Sequence, residues 1–199
     1  MKNKALWIIV ALVVVIGLWA LSGYNSMVDK QETATTALSN VEAAYQRRAD
    51  MMPQLAKIVK AYAKHEQETF VQVAKARNNA IQIHLDAKNL TLEKVKQFET
   101  AQSELASAMS RLIAVAERYP DLKASENFKA LQIQEEGTEN RINEARRSYN
   151  ESVQNYNQTI RHFPNSLIAG VTGFDKMVKF EAAAGAEKAP ELDLSLIHI

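Results

Sequence analysis

The sequence predicts an all-α protein, and three observations predict it: structure breakers are few, apolar residues follow a heptad rhythm, and one uninterrupted apolar run opens the chain. Among 199 residues there are six glycines and four prolines, and no glycine falls between Gly23 and Gly137. A β-rich fold or a glycine-looped nucleotide enzyme needs far more turn chemistry than that. Charge is balanced, 24 Lys+Arg against 23 Asp+Glu, which argues against the basic surface that nucleic acid demands. Cysteine is absent, so disulfides, thiolate metal sites, thiol catalysis and Cys-linked lipid are excluded.

The run ALWIIVALVVVIGLWAL, residues 5–21, carries no charge and spans about 25 Å as a helix, the short end of what crosses a bilayer. Ser22 extends the segment, giving a transmembrane helix over 5–22. Trp7 and Trp19 lie near its ends, where indoles favour the membrane interface. Lys2 and Lys4 precede it, and the first charges after it are Asp29 and Lys30. That asymmetry puts residues 1–4 in the cytoplasm and the bulk of the chain on the other side of the membrane. A cleaved signal peptide is the competing reading, with Ala20 and Ser22 as a small-x-small site. The apolar run exceeds the roughly 7–15 residues of a signal core, which favours a retained anchor.

Beyond the membrane, one seam runs Tyr24, Met27, Gln31, Ala34, Leu38, Val41, Tyr45, Arg48, Met52, Leu55, Val59, Tyr62, Glu66, Thr69, Val73, Ala76 and Ala80. Spacings of three and four residues at heptad average suit bundle packing. Pro53 removes a donor and opposes the Ala49 carbonyl, yet the apolar phase continues through it, so a kink near Pro53 is expected, with a full break there as the alternative. The polar cluster 86–89 is expected to end this long helix. Thr91 offers a cap for a second helix, with seam Val95, Phe98, Gln102, Leu105, Met109, Leu112, Ala116 and Tyr119, stopped by Pro120. Ser125 offers a cap for a third, with seam Phe128, Leu131, Glu135, Thr138, Ile142, Ala145, Tyr149, Ser152, Tyr156 and Ile160, closed by Pro164. Leu167, Ile168, Val171, Phe174, Met177 and Val178 form a short apolar piece, expected as a last helix packed across the bundle end. The expected architecture is an elongated antiparallel bundle of three long helices, the first kinked, plus a short C-terminal helix over 24–181.

Particular strings go further. Tyr24-Asn25-Ser26-Met27-Val28, then Arg47-Arg48-Ala49-Asp50-Met51-Met52-Pro53-Gln54-Leu55, then Val59-Lys60-Ala61-Tyr62-Ala63-Lys64-His65-Glu66 resemble, in order, the first helix of the LemA family. Gly137-Thr138-Glu139-Asn140-Arg141-Ile142, Tyr149-Asn150, Tyr156-Asn157 and Phe163-Pro164 extend the resemblance along 1–193. The resemblance implies a bacterial membrane protein with one N-terminal helix and an extracytoplasmic helical bundle. Some members are associated with membrane metallopeptidases or magnetosome assembly, which implies scaffolding or partner regulation rather than catalysis. Family members usually carry Asn at the position of Gln54 and an apolar residue at that of Glu135. Pro190-Glu191-Leu192-Asp193 fits the family's tail, so 182–193 reads as a flexible tail. The final Leu194-Ser195-Leu196-Ile197-His198-Ile199 resembles a translated sequencing adapter and is expected to be non-native.

Candidate chemistry is sparse. His65-Glu66 suggests a metalloprotease, but the second histidine that motif needs is replaced by Thr69. Glu135, Glu136, Glu139 and Glu144 have helical spacing without the Glu-x-x-His elements of a di-metal bundle. Arg48, on the seam, requires a buried acceptor, and at Glu135 either the seam is wet or a partner such as Arg48 or Arg111 is expected to reach it. The pairs Tyr149-Asn150 and Tyr156-Asn157, seven residues apart, repeat a phenol and an amide on one side of a helix. Interhelical hydrogen bonds that fix register are expected from them, with a partner-binding stripe as the alternative. Arg48, Tyr62, His65, Glu139, Asn140 and these four residues are thus the candidate contacts. The expectation is a single-span envelope scaffold or adaptor without cofactor or nucleic acid, whose partner is an envelope protein such as a membrane metallopeptidase. The alternatives are a metal-dependent hydrolase using His65 and Glu66, or a sensor relaying through a membrane partner.

Overall fold

A computed structural model of the chain describes residues 2–181. The expectations for 182–193 and 194–199 lie outside the described residues. Helix α1 runs without interruption over Lys2–Tyr62, α2 over Gln67–Gln82, α3 over Leu92–Ala116, α4 over Pro120–Ala124, α5 over Glu126–Arg161 and α6 over Asn165–Thr172. Residues 174–181 follow as an extended segment, and no strand occurs among the described residues.

At 1.5 Å per residue α1 is a rod of about 90 Å. Its first part is apolar all round, with the large side chains of Leu6, Ile8, Val13 and Leu18 all exposed. Only a surrounding apolar medium suits such a surface, so this helix is a candidate membrane anchor. Burial against the rest of the chain begins past the apolar run, with Met27, and continues through Ala34, Leu38, Val41, Tyr45, Met52, Leu55 and Val59.

The chain does not fold back at Pro53. α1 stays helical through it, and the reversal comes at 63–66. Two contacts tie the returning chain to α1: Arg77 Nε of α2 donates to the Ala49 carbonyl at 3.0 Å, and the amide of Leu85, just past α2, donates to Glu42 Oε1 at 2.7 Å. The first of these explains how the proline is tolerated. Pro53 has no N–H for the carbonyl four residues earlier, and that carbonyl is Ala49's. Arg77 supplies the missing donor from the neighbouring helix. The expected single rod to residue 88 is therefore two helices, and α2 ends at Gln82, ahead of the polar cluster, where a 3-10 turn spans Ala87–Asn89.

Thr91 and Ser125 cap as expected, their side chains accepting from the Lys94 and Phe128 amides. α3 runs antiparallel to α2, and α4, with Pro120 at its first position, turns the chain at the distal end. α5 then returns along the whole outer length of α1. The distal half is therefore built from α1, α2, α3 and α5 around a core that includes Met52, Val59, Val73, Leu105, Leu112 and Phe128. Toward the apolar part of α1, α3 reaches only its first turns and α6 and the extended strap take over the packing. Phe180 of the strap joins Tyr45, Phe98, Tyr149 and Val153 in a second core, and Met27, Tyr156, Ile160 and Ala169 form a third.

Candidate functional site

Midway along the bundle the seam of α1 turns polar. Arg48 is 4% exposed, and its guanidinium is held from three sides. Nη1 donates to Glu139 Oε1 of α5 at 2.8 Å, while Nη2 donates to the backbone carbonyl and the side-chain oxygen of Gln102 on α3 at 2.9 and 3.1 Å. The Tyr45 ring lies 5.1 Å from the guanidinium carbon. Nε finds no acceptor among the described residues. Gln102, itself buried, donates to the Ala80 carbonyl at 3.4 Å, one of those left open at the end of α2. Thr138 closes the layer, donating to the Gln134 carbonyl at 2.8 Å.

Of the two expectations for Glu135, the pairing with Arg48 or Arg111 is corrected, and the half-buried carboxylate fits the wet seam. Arg48 pairs with Glu139, one turn on, and Arg111 reaches Gln72 instead. Glu135 stays half-buried; burial, then the neighbouring Glu139, push its carboxyl above the usual range, against the pull of Arg48. A second pair crosses from α5 to α3, where Arg146 Nη2 donates to Glu99 Oε1 at 2.6 Å and Nη1 to the Tyr45 hydroxyl at 3.0 Å. The two ion pairs stand in an open groove of about 1120 Å³ lined by residues of α1, α2, α3 and α5, Asn143 and Glu181 among them.

Further along α5, past the Arg146 and Glu181 that line this groove, the Tyr-Asn repeats meet a partner that is not a helix. The Asn150 amide is bidentate on Phe180, donating to its carbonyl and accepting from its N–H, both at 2.9 Å. Asn157 does the same to Met177, at 2.9 and 3.0 Å. Tyr149 donates to the Val178 carbonyl at 2.7 Å and Tyr156 to that of Asp175 at 2.9 Å. Seven helical residues rise about 10.5 Å, and three extended residues advance about 10 Å, so successive rungs of the helix meet every third residue of the strap. The expected interhelical register bonds are thus a ladder that reads the main chain of an extended segment. Both phenols are pushed to higher pKa, Tyr149 by burial and Tyr156 by burial and then Asp175. Arg146 closes the end of the strap, donating to the Glu181 carbonyl at 2.8 Å and lying 5.0 Å from the centre of the Phe180 ring.

The remaining candidates sit apart from this groove. His65 is exposed in the turn between α1 and α2, and Glu66 pairs with Arg118 at 3.0 Å. Tyr62 is 45% exposed at the end of α1, outside the core that the seam assigned it to. Asn140 is exposed on α5. Trp7 and Lys4 are exposed on the apolar part of α1, Trp19 is partly covered, and the Lys2 side chain lies outside the described ones. Among the described residues no three His, Asp or Glu side chains gather as metal ligands. The sequence reading missed Gln102 as a ligand of Arg48, although Gln102 was visible as a polar lapse in an apolar seam. It also missed the strap, whose extended residues carry no periodicity.

The fold and groove define a class: an α-helical bundle on a long N-terminal helix apolar enough to cross a membrane, with a polar groove and a main-chain-reading ladder on its side. Within that class the chain belongs to the LemA family, whose pattern its residues 37–194 match. It is similar to the magnetosome protein MamQ of Magnetospirillum gryphiswaldense, 27% identical over 183 residues, covering 83% of this chain and 67% of that protein. Magnetosome proteins MamQ 1 and MamQ 2 of Paramagnetospirillum magneticum are 26% identical over 178 residues, covering 81% of this chain and 65% of theirs. The chain thus spans about two thirds of the length of these relatives.

Proposed function

We propose that this protein is a membrane-anchored envelope adaptor that holds a partner polypeptide in extended form along the groove between α3 and α5. The observation that carries the reading is the ladder. Asn150 and Asn157 each satisfy one residue's N–H and carbonyl, which is recognition of a polypeptide main chain rather than of a metabolite. Asn143 stands one heptad further along the same face, exposed, and lines the groove as a third rung. The groove walls are charged and amide-rich, suited to a polar strand. The curated relatives are named for a cellular structure and not for a reaction, which also supports an assembly role. Residues 1–4 face the cytoplasm in this reading and the groove faces the other side of the membrane.

A photo-crosslinking residue at Asn143 or Ser103, in the full chain expressed in its host, tests this. Both positions are expected to give an adduct with the same polypeptide, while Lys129, exposed near the distal end, is expected to give none. Absence of any polypeptide adduct at the groove, or the same adducts from Lys129, refutes the reading. Stoichiometric zinc or iron in the purified full chain would also refute it, because it would reinstate the metal-dependent hydrolase.

A further inference from the structure

Helix α6 packs against α1 at Gly23. A Cβ at Gly23 would stand 2.9 Å from Asn165 Oδ1 and 3.1 Å from Ile168 Cδ1, so side chains of α6 lie directly on the α1 backbone there. Gly23 lies two residues, about 3 Å of helix, beyond Leu21, where the apolar run ends. The headgroup layer on each side of a bilayer is roughly 5–8 Å thick. If 5–22 spans the membrane, α6 lies at headgroup depth.

The outward face of α6 has the chemistry for that position. Ala169 turns inward and is buried, and Ile168 and Phe174 pack on the core formed with Met27, Tyr156 and Ile160. Leu167 and Val171, one turn apart, point away from the protein at 64% and 89% exposure, and Phe163, just ahead of the helix, is 80% exposed. Other large apolar side chains exposed beyond the span, such as Val71, Leu92 and Ile133, belong to different helices and stand singly. Among the described residues beyond the span, three occur within nine residues of chain only here. Arg161, in the last turn of α5, adds a cation beside them that suits lipid phosphates.

We infer that α6 is a second membrane contact: Phe163, Leu167 and Val171 insert into the headgroup layer of the bilayer that α1 crosses. The occupant of this apolar face is lipid, because the face is continuous with the exit of the spanning segment. The inference rests on the reading of 5–22 as that span. With two points of attachment, the bundle cannot swivel freely about α1.

The absence of native cysteine makes the test direct. Full-length Val14→Cys, Leu167→Cys, Val171→Cys and Lys129→Cys chains carry an environment-sensitive fluorophore and are reconstituted into phosphatidylcholine–phosphatidylglycerol vesicles. Quenching by shallow spin-labelled lipid is compared with quenching by aqueous iodide. Leu167 and Val171 labels are expected to be quenched severalfold more by the lipid than the Lys129 label, and Val14 to be shielded from iodide. Leu167 and Val171 labels that behave as Lys129 does, while Val14 remains in lipid, overturn the placement of α6 alone. Labels shielded from both quenchers overturn it too, since protein would then cover the face. A Val14 label open to iodide overturns the span and this inference together.

Discussion

Arg77 stands in for the amide that Pro53 lacks, so the two residues should be coupled in stability. The Ala49 carbonyl is buried in a residue 1% exposed, and its only described side-chain donor is Arg77 Nε at 3.0 Å. Arg77→Met keeps the aliphatic stem and removes the donor. The lost hydrogen bond is charge-assisted, at about 1.5–3 kcal/mol. Arg77 is 28% exposed, which favours the lower half of that range. The accompanying 3.6 Å contact with the half-exposed Asp50 adds only ~0–0.5 kcal/mol. A loss of about 2 kcal/mol follows, or a fall in Tm of roughly 4–8 °C for a domain of this size. In a Pro53→Ala background the residue 53 amide can donate to Ala49, and Arg77→Met should then cost under ~0.5 kcal/mol. Thermal unfolding of the four detergent-solubilised chains, followed by circular dichroism, gives the coupling directly. Equal losses in the two backgrounds would refute the compensation and leave Arg77 a packing residue.

The polar layer should respond asymmetrically. Glu139→Ala strands a buried guanidinium and is expected to cost about 2–3 kcal/mol, whereas Arg48→Met removes the ion together with its unsatisfied Nε and should cost less than ~1 kcal/mol in the same melts. Asn150→Ala with Asn157→Ala should release the strap without melting the bundle. Hydrogen exchange at the Met177 and Phe180 amides is expected to rise at least tenfold, with the amides of α3 unchanged; parallel acceleration of α3 would contradict a local ladder. Glu135 binds its proton more tightly folded than unfolded, so its contribution falls as pH rises from about 4.3, the ordinary Glu value, through its raised folded value. Glu135→Gln should therefore raise Tm near pH 7, with the gain fading as pH approaches 4, and a pH-independent change would refute this.

Legibility in the sequence followed periodicity. The Thr91 and Ser125 caps, and the seams through Leu105 and Ile142, rest on local rules and were readable. The reversal at 63–66 was not, because a heptad phase can run on by coincidence after the chain has turned. Its trace was present all the same: Glu66 and Thr69 are adjacent polar lapses, and they flank the start of α2. At Pro53 the full break, the alternative to a kink, does not occur, and Arg77, which offsets the proline's local cost, comes from another helix and is invisible to local rules. The Tyr-Asn pairs were correctly singled out as a repeat of hydrogen-bonding groups. Their partner is unreadable, since Phe174, Met177 and Val178 continue the apolar pattern of a last helix, while Gly173, at φ 78°, ends α6 at Thr172 and releases the chain into the strap.

On the proposed span over 5–22, an unbroken α1 also sets an altitude. From Leu21 to Arg48 the helix climbs about 40 Å, and a tilt near 20° lowers this only to roughly 37 Å. Any loop from a neighbouring membrane protein needs about twelve fully extended residues to reach that level and as many to return. Short-looped polytopic proteins therefore pass beneath the groove, and those with a stalk or a folded outer domain can meet it.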